Sequence, residues 1–231
     1  MLPQIKFFSA ISKLKLLLYL PLLVLTGCFE ILEEININAN GSGSFIYTAN
    51  MSRSKLSLDG IMQRDSSNGY RVPKRADIER DLLKAQTILS KQPGISKVSI
   101  TRDWVNYIYV LRCNFASVEQ LDLALENLTA EFTRTKKSIP EARNSFSFSG
   151  NSFSRYNRYD ATKTAPRLSI ADKNIMRSAN YTCICRFAKP VAKCSNPAAQ
   201  ISKDGRSVML KQNLLELAEG RKTLANTIQL K

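Results

Sequence analysis

The side chains able to do chemistry in this 231-residue chain are few in kind. Five are cysteines: Cys28 near the start, then Cys113, Cys183, Cys185 and Cys194. Histidine is absent altogether. That absence removes the commonest general base, the usual activation of a serine or cysteine nucleophile, and the commonest metal ligand. An enzyme on this chain would have to work through a Ser-Lys arrangement or a borrowed metal. Ser-Lys dipeptides occur at Ser54-Lys55, Ser90-Lys91, Ser96-Lys97 and Ser202-Lys203, but a chain this rich in both residues produces them by chance. Paired carboxylates for glycoside chemistry need two isolated acids in a cleft. The acids here lie mostly on helix faces, as Glu79, Asp81, Glu119, Asp122, Glu126 and Glu131 do. No catalytic residue and no cofactor is expected.

Cys28 ends a different kind of pattern. Lys6, Lys13 and Lys15 precede any acidic residue, the apolar run LLLYLPLLVL follows at residues 16–25, and Leu25-Thr26-Gly27 leads into the cysteine. A basic n-region, a short apolar h-region and small residues at the end describe a secretory signal. The run is half the roughly 20 residues a bilayer-crossing helix needs, and Pro21 interrupts it. Leu-Thr-Gly-Cys resembles the lipobox of bacterial lipoproteins. That resemblance implies a signal peptide over residues 1–27, acylation of Cys28, and a mature domain over residues 28–231 held on the membrane by its N-terminal lipid. Phe29, where Asp would resemble an inner-membrane retention signal, implies the outer membrane of a Gram-negative cell. The alternatives are an ordinary cleaved signal or a buried apolar helix.

If the cysteine at position 28 is acylated, four others are left in an envelope compartment that permits disulfides. Cys183 and Cys185 lie two apart in an extended stretch with parallel side-chain directions, so a bridge between them would be strained. The expected pairing joins Cys113 to one of them and Cys194 to the other. Reduced buried thiols and a four-cysteine metal site are the competing readings, and C-x-C is not the usual zinc knuckle.

Charge is the remaining candidate for function. The whole chain carries +15; without the three signal lysines, 31 cationic and 19 acidic side chains leave +12. Residues 134–193 hold 13 Lys/Arg against 3 Asp/Glu, while residues 28–133 hold 12 against 13. Lys136, Lys137, Arg143, Arg155 and Arg158, interleaved with Phe153, Tyr156 and Tyr159, form a composition that suggests nucleic acid in a cytosolic protein. Behind a secretion signal the reachable polyanions are lipid headgroups, anionic glycans or acidic envelope proteins, and nucleic acid is not expected. The bland reading is a solvated strand face with its aromatics in the core.

Elements must position these groups. Ile31, Ile35 and Ile37 alternate, Asn38–Gly43 tolerates a tight turn, and Phe45, Tyr47, Ala49 and Met51 alternate again, a hairpin pattern. Residues 76–91 carry one apolar helical face stopped by Pro93-Gly94, and Leu121, Leu125, Leu128 and Phe132 predict a second helix behind Ser117 and Gln120. Val105 to Phe115 alternates strictly. Residues 181–187, 198–201, 207–210 and 224–230 read as extended, with a short helix over 213–219. The fold class expected is α+β: an antiparallel sheet with the two longer helices on one face and a strand-rich C-terminal half. A hairpin of acidic-apolar strand, Asn-x-Gly-Ser-Gly and aromatic strand directly after the cysteine, here Glu33 to Met51, also resembles envelope lipoproteins. It implies no activity. A non-enzymatic binding or assembly component of the envelope is the reading that remains.

Overall fold

The computed structural model describes residues 29–67, 70–133, 145–156 and 165–231. Its architecture is α+β, with two sheets packed through a shared core. The larger sheet has seven strands in the order β11-β12-β9-β1-β2-β6-β5. These are β1 (Glu30–Ile37), β2 (Gly43–Asn50), β5 (Ile95–Asp103), β6 (Ile108–Phe115), β9 (Asn180–Phe187), β11 (Gln200–Ile201) and β12 (Ser207–Asn213). The smaller sheet runs β10-β13-β8-β7, from β10 (Val191–Cys194), β13 (Asn226–Leu230), β8 (Ser152–Arg155) and β7 (Phe146–Ser149). A two-strand hairpin, β3 (Ser66–Ser67) with β4 (Tyr70–Arg71), stands apart. Five α-helices lie among the described residues: α1 (Lys55–Met62), α2 (Arg75–Ser90), α3 (Val118–Thr133), α4 (Ile170–Arg177) and α5 (Leu214–Ala218).

The expected hairpin is present, with Glu33 opposite Tyr47 and Ile35 opposite Phe45. Gly43 is required at its start because a Cβ there would sit 1.9 Å from the Asn36 carbonyl oxygen. Gly94 ends the α2 region at φ 74°, and its bare Cα leaves room for the Gln120 amide, joining the two long helices to one corner. The last strand, β13, is internal to its sheet, paired on both sides.

Two features depart from a simple antiparallel reading. β1 pairs with β9 in parallel, Glu33 beside Cys183 and Ile35 beside Cys185. A second sheet also closes over the first.

Alternation decides which face is covered. On β1 the odd residues Glu33, Ile35 and Ile37 are buried, and their cross-strand partners Phe45, Cys113, Phe115, Cys185, Phe187 and Val208 share that face. Leu89 of α2 and Val118, Leu121 and Ala124 of α3 cover one end of it. Phe146, Phe153 and Ile228 of the small sheet cover the other. Phe153 meets Phe187 across the layers with ring centroids 5.8 Å apart. Phe146 and Phe153 are therefore core residues rather than exposed stacking surfaces, at 5% and 0% exposure.

Candidate functional site

Where β2 and β6 run on past the core toward Asn50 and Ile108, a cavity of about 680 Å³ forms over the inner face of the large sheet. Its floor is Tyr47, Ala49, Tyr109 and Leu111. Ile78, Leu82 and Ala85, one face of α2, form a wall, because the same 3.6-residue period that buries Leu89 carries this stripe past the end of the core. Leu58, Ile61 and Met62 of α1 and Ile175 of α4 close the opposite side. A neighbouring outer chamber of about 790 Å³ shares Met51, Leu58, Ile61 and Ile175 with it and reaches Phe29. The size and the mostly apolar lining are those of a small-molecule site.

The helices bounding the mouth are shallowly packed. α1 has no fully buried residue and Leu56 is 73% exposed, while on α4 Ile170 is 80% and Ile175 52% exposed. The Tyr107 hydroxyl, in the turn between β5 and β6, donates to Asp59 Oδ1 at 2.7 Å and so ties α1 to the sheet, while within α1 Lys55 Nζ meets Asp59 Oδ2 at 2.7 Å. Tyr107 takes φ 55°, a left-handed conformation unusual for an aromatic residue, and its carbonyl accepts from the Met51 N–H. The hydrogen bond to Asp59 and partial burial push the Tyr107 phenol up to about 12. Hydrogen bonds from Lys55 and Tyr107 hold the Asp59 carboxyl below its usual range.

Behind Tyr47 lies a buried polar cluster. Glu33 accepts from the Arg155 guanidinium and from the Tyr181 hydroxyl at 2.6 Å. Arg155 also lies over the rings of Phe146 and Tyr181, 5.1 and 5.6 Å from their centroids, and 3.4 Å from Cys183 Sγ. The side chains of Glu33 and Arg155 are only 6% and 14% exposed. Burial pulls the Arg155 pKa down, but Glu33, Cys183 and Tyr181 together outweigh it and the net direction is up. Burial, then Glu33, raises both the Tyr181 and the Tyr47 phenols. This cluster bolts the two sheets together: Glu33 and Tyr181 belong to the large one, Arg155 to the small.

Arg155 is thus not an exposed anion contact. Its charge is consumed by Glu33, for the physical reason that strand β8 turns it toward the interlayer. Arg186 likewise meets Glu34 at 2.6 Å, so both Glu33 and Glu34 of β1 are paired within the protein. Lys136, Lys137, Arg143 and Arg158 lie outside the described residues, as does Cys28.

The expected bridge from Cys113 is also corrected. Cys113, Phe45, Ile35 and Cys185 form one cross-strand row, so Cys113 and Cys185 are three strand spacings apart. That is about 14 Å, against roughly 4.4–6.8 Å between the Cα atoms of a disulfide. Cys183, two residues back on the same strand, is no nearer. Cys183 and Cys185 are adjacent, Sγ atoms 3.8 Å apart, and Cys194 on β10 packs against the same core. All four are thiols in this structure. Burial lifts Cys113 to about 11; the Cys185 contact and then burial raise Cys183. Among the described residues no three His, Cys, Asp or Glu side chains are placed to hold a metal ion.

The cavity itself was not foreseen from the sequence. Its one visible signal is the surplus of apolar residues in α1 and α4, Leu56, Leu58, Ile61, Ile170 and Ile175, on helices too short to need them for a core.

No protein family and no curated protein matches the sequence. Among solved structures, the folded domain of the LppM protein of Mycobacterium tuberculosis, determined by NMR, aligns over 88% of this chain and 89% of its own at 12% identity, with a TM-score of 0.38. A score that low is not a demonstration of a common fold.

Proposed function

We propose that this chain is a lipid-anchored protein of the bacterial cell envelope, held on the membrane through Cys28, whose role is to bind an apolar chain rather than to catalyse a reaction. The observation that carries the reading is the paired chambers: about 680 Å³ and about 790 Å³, adjoining at Met51, Leu58, Ile61 and Ile175, with mostly apolar exposed linings, the second bordered by Phe29, one residue from the acylated cysteine. Two or three acyl chains on that cysteine would hold the protein firmly, where one alone gives marginal binding. The lipobox supplies the address and Phe29 favours the outer membrane. A hydrocarbon ligand fits because transfer of apolar surface out of water stabilises it by about 0.8 kcal/mol per methylene, and the exposed lining is mostly apolar, although Arg71 and Asp172 border the inner chamber and Asn174 and Arg177 the outer.

The test uses secreted Cys28→Ala protein, which is expected to leave the membrane fraction. Its cavity should take up the environment-sensitive dye N-phenyl-1-naphthylamine saturably, with palmitate competing. Ala85→Trp and Ile61→Trp, which fill the inner chamber from two sides, should each weaken dye affinity about tenfold, or about 1.4 kcal/mol. Dye uptake that does not saturate, or that both tryptophans leave unchanged, rules the reading out.

A further inference from the structure

We infer that the outer chamber shelters one of the protein's own acyl chains, a chain carried on Cys28. The inference rests on the apolar-ligand reading above and names the occupant. Phe29 is fixed: its carbonyl accepts from the Asn180 N–H at 3.2 Å, and its side chain lines the outer chamber. Adjacent Cα atoms are about 3.8 Å apart, so any chain attached at position 28 starts at the chamber's edge. A ligand tethered this closely faces the site at an effective concentration of millimolar order or above, without new contacts. A free lipid has no such advantage.

The energetics favour exchange rather than permanent burial. An acyl chain leaving the bilayer for this chamber meets Met51, Leu58, Ile61 and Ile175 together with Ser54, Ser57, Asn174 and Ser178; most of the exposed lining is still apolar, and lipid tails are as apolar as leucine side chains. Little free energy separates the two positions, and both stay populated. The rim fixes the geometry in which this happens. Arg177 borders the outer chamber, and Arg53 borders a small polar cleft that shares Phe29 with it and in which Lys211 is paired with Glu30 at 3.7 Å. Cations at that spot hold the mouth against an anionic headgroup layer. Sheltering one chain then lowers the number inserted in the bilayer, moving the anchor from firm toward reversible attachment.

The experiment uses the full chain in cells fed palmitic acid bearing a diazirine, irradiated as intact membranes and digested for mass spectrometry. The expected product is the acylated peptide beginning at Cys28 cross-linked to residues 56–64 or 174–177. Its yield should fall at least tenfold in Ile175→Asp, whose side chain is half exposed and tolerates the change, and in Leu58→Glu, with circular dichroism checking that each stays folded. Chamber peptides that carry phospholipid while the Cys28 peptide is uncross-linked overturn this inference and leave the apolar-ligand reading standing. Chamber peptides that carry no lipid of any kind overturn both. An unacylated Cys28 overturns the inference and the anchor together.

Discussion

Glu33 shows how much one buried charge can organise. It is the one carboxylate on the inner face of β1, and Arg155, Tyr181 and Cys183 converge on it from segments 122 to 150 residues away. Removing one member of such a pair costs far more than removing both, because the survivor is left charged and unpaired in a low-dielectric interior. Arg155→Leu is expected to lose about 3–5 kcal/mol in urea unfolding, and Glu33→Leu combined with Arg155→Leu to recover most of it. Equal losses in the single and double variants would show that packing, not the ion pair, sets the cost. The neighbouring phenols and thiols give a pH dependence of definite sign. Tyr47 and Tyr181 have folded pKa values above the ordinary 10.0, and Cys113 and Cys183 above the ordinary 9.0. Their stabilisation is complete below those ordinary values and is lost as pH rises through the folded ones. Stability should therefore decline from about pH 9 upward, and Tyr181→Phe should flatten the upper part of that decline.

The helices divide by how they are held. α2 and α3 are anchored by Leu89, Val118, Leu121 and Ala124, fully or almost fully buried, and their amphipathic period announced them. α1 and α4 bound the cavity mouth and are held by little. For α1 the Tyr107–Asp59 hydrogen bond is the main polar tie, and Tyr107→Phe is expected to raise amide hydrogen exchange across residues 52–62 while leaving α2 unchanged. Unaltered exchange there would mean that Leu58, Ile61 and Met62 hold α1 by packing alone. Because the Asp59 carboxyl is held below its ordinary 3.8, its contribution is present above that pH and disappears as pH falls through the folded value. Local opening of the weakest elements is also what a ligand needs to enter.

Seen entire, the molecule is two sheets and two long helices around one core, with a cavity toward one end of the large sheet's inner face, lined by α1, α2 and α4. The chain returns to its own beginning to build it: β9 lies against β1 in parallel, and β13, at the C-terminus, fills the middle of the second sheet. Such pairings close long loops, which slows folding more than it weakens the fold. The same topology sorts the cysteines. In envelope-isolated protein, a non-reducing peptide map should return Cys113 as a thiol that alkylates only after denaturation, and any bridge should join Cys194 to Cys183 or Cys185. Recovery of a Cys113–Cys185 peptide would contradict the strand order itself.

Local patterning was enough for the first hairpin, both long helices, the late strands and the α+β class, because period-2 and period-3.6 burial leave their mark on neighbouring residues. The n-region, apolar run and Leu-Thr-Gly-Cys ending are equally local, so the proposed anchor owes nothing to the fold. Partnership is another matter. That Arg155 turns inward to Glu33, that Cys113 stands three strands from Cys185, and that α1 and α4 leave a cavity over Tyr47 and Tyr109 all depend on sheet order and layer stacking. Those are settled by contacts between residues 48 to 150 positions apart, and no short stretch of sequence carries them.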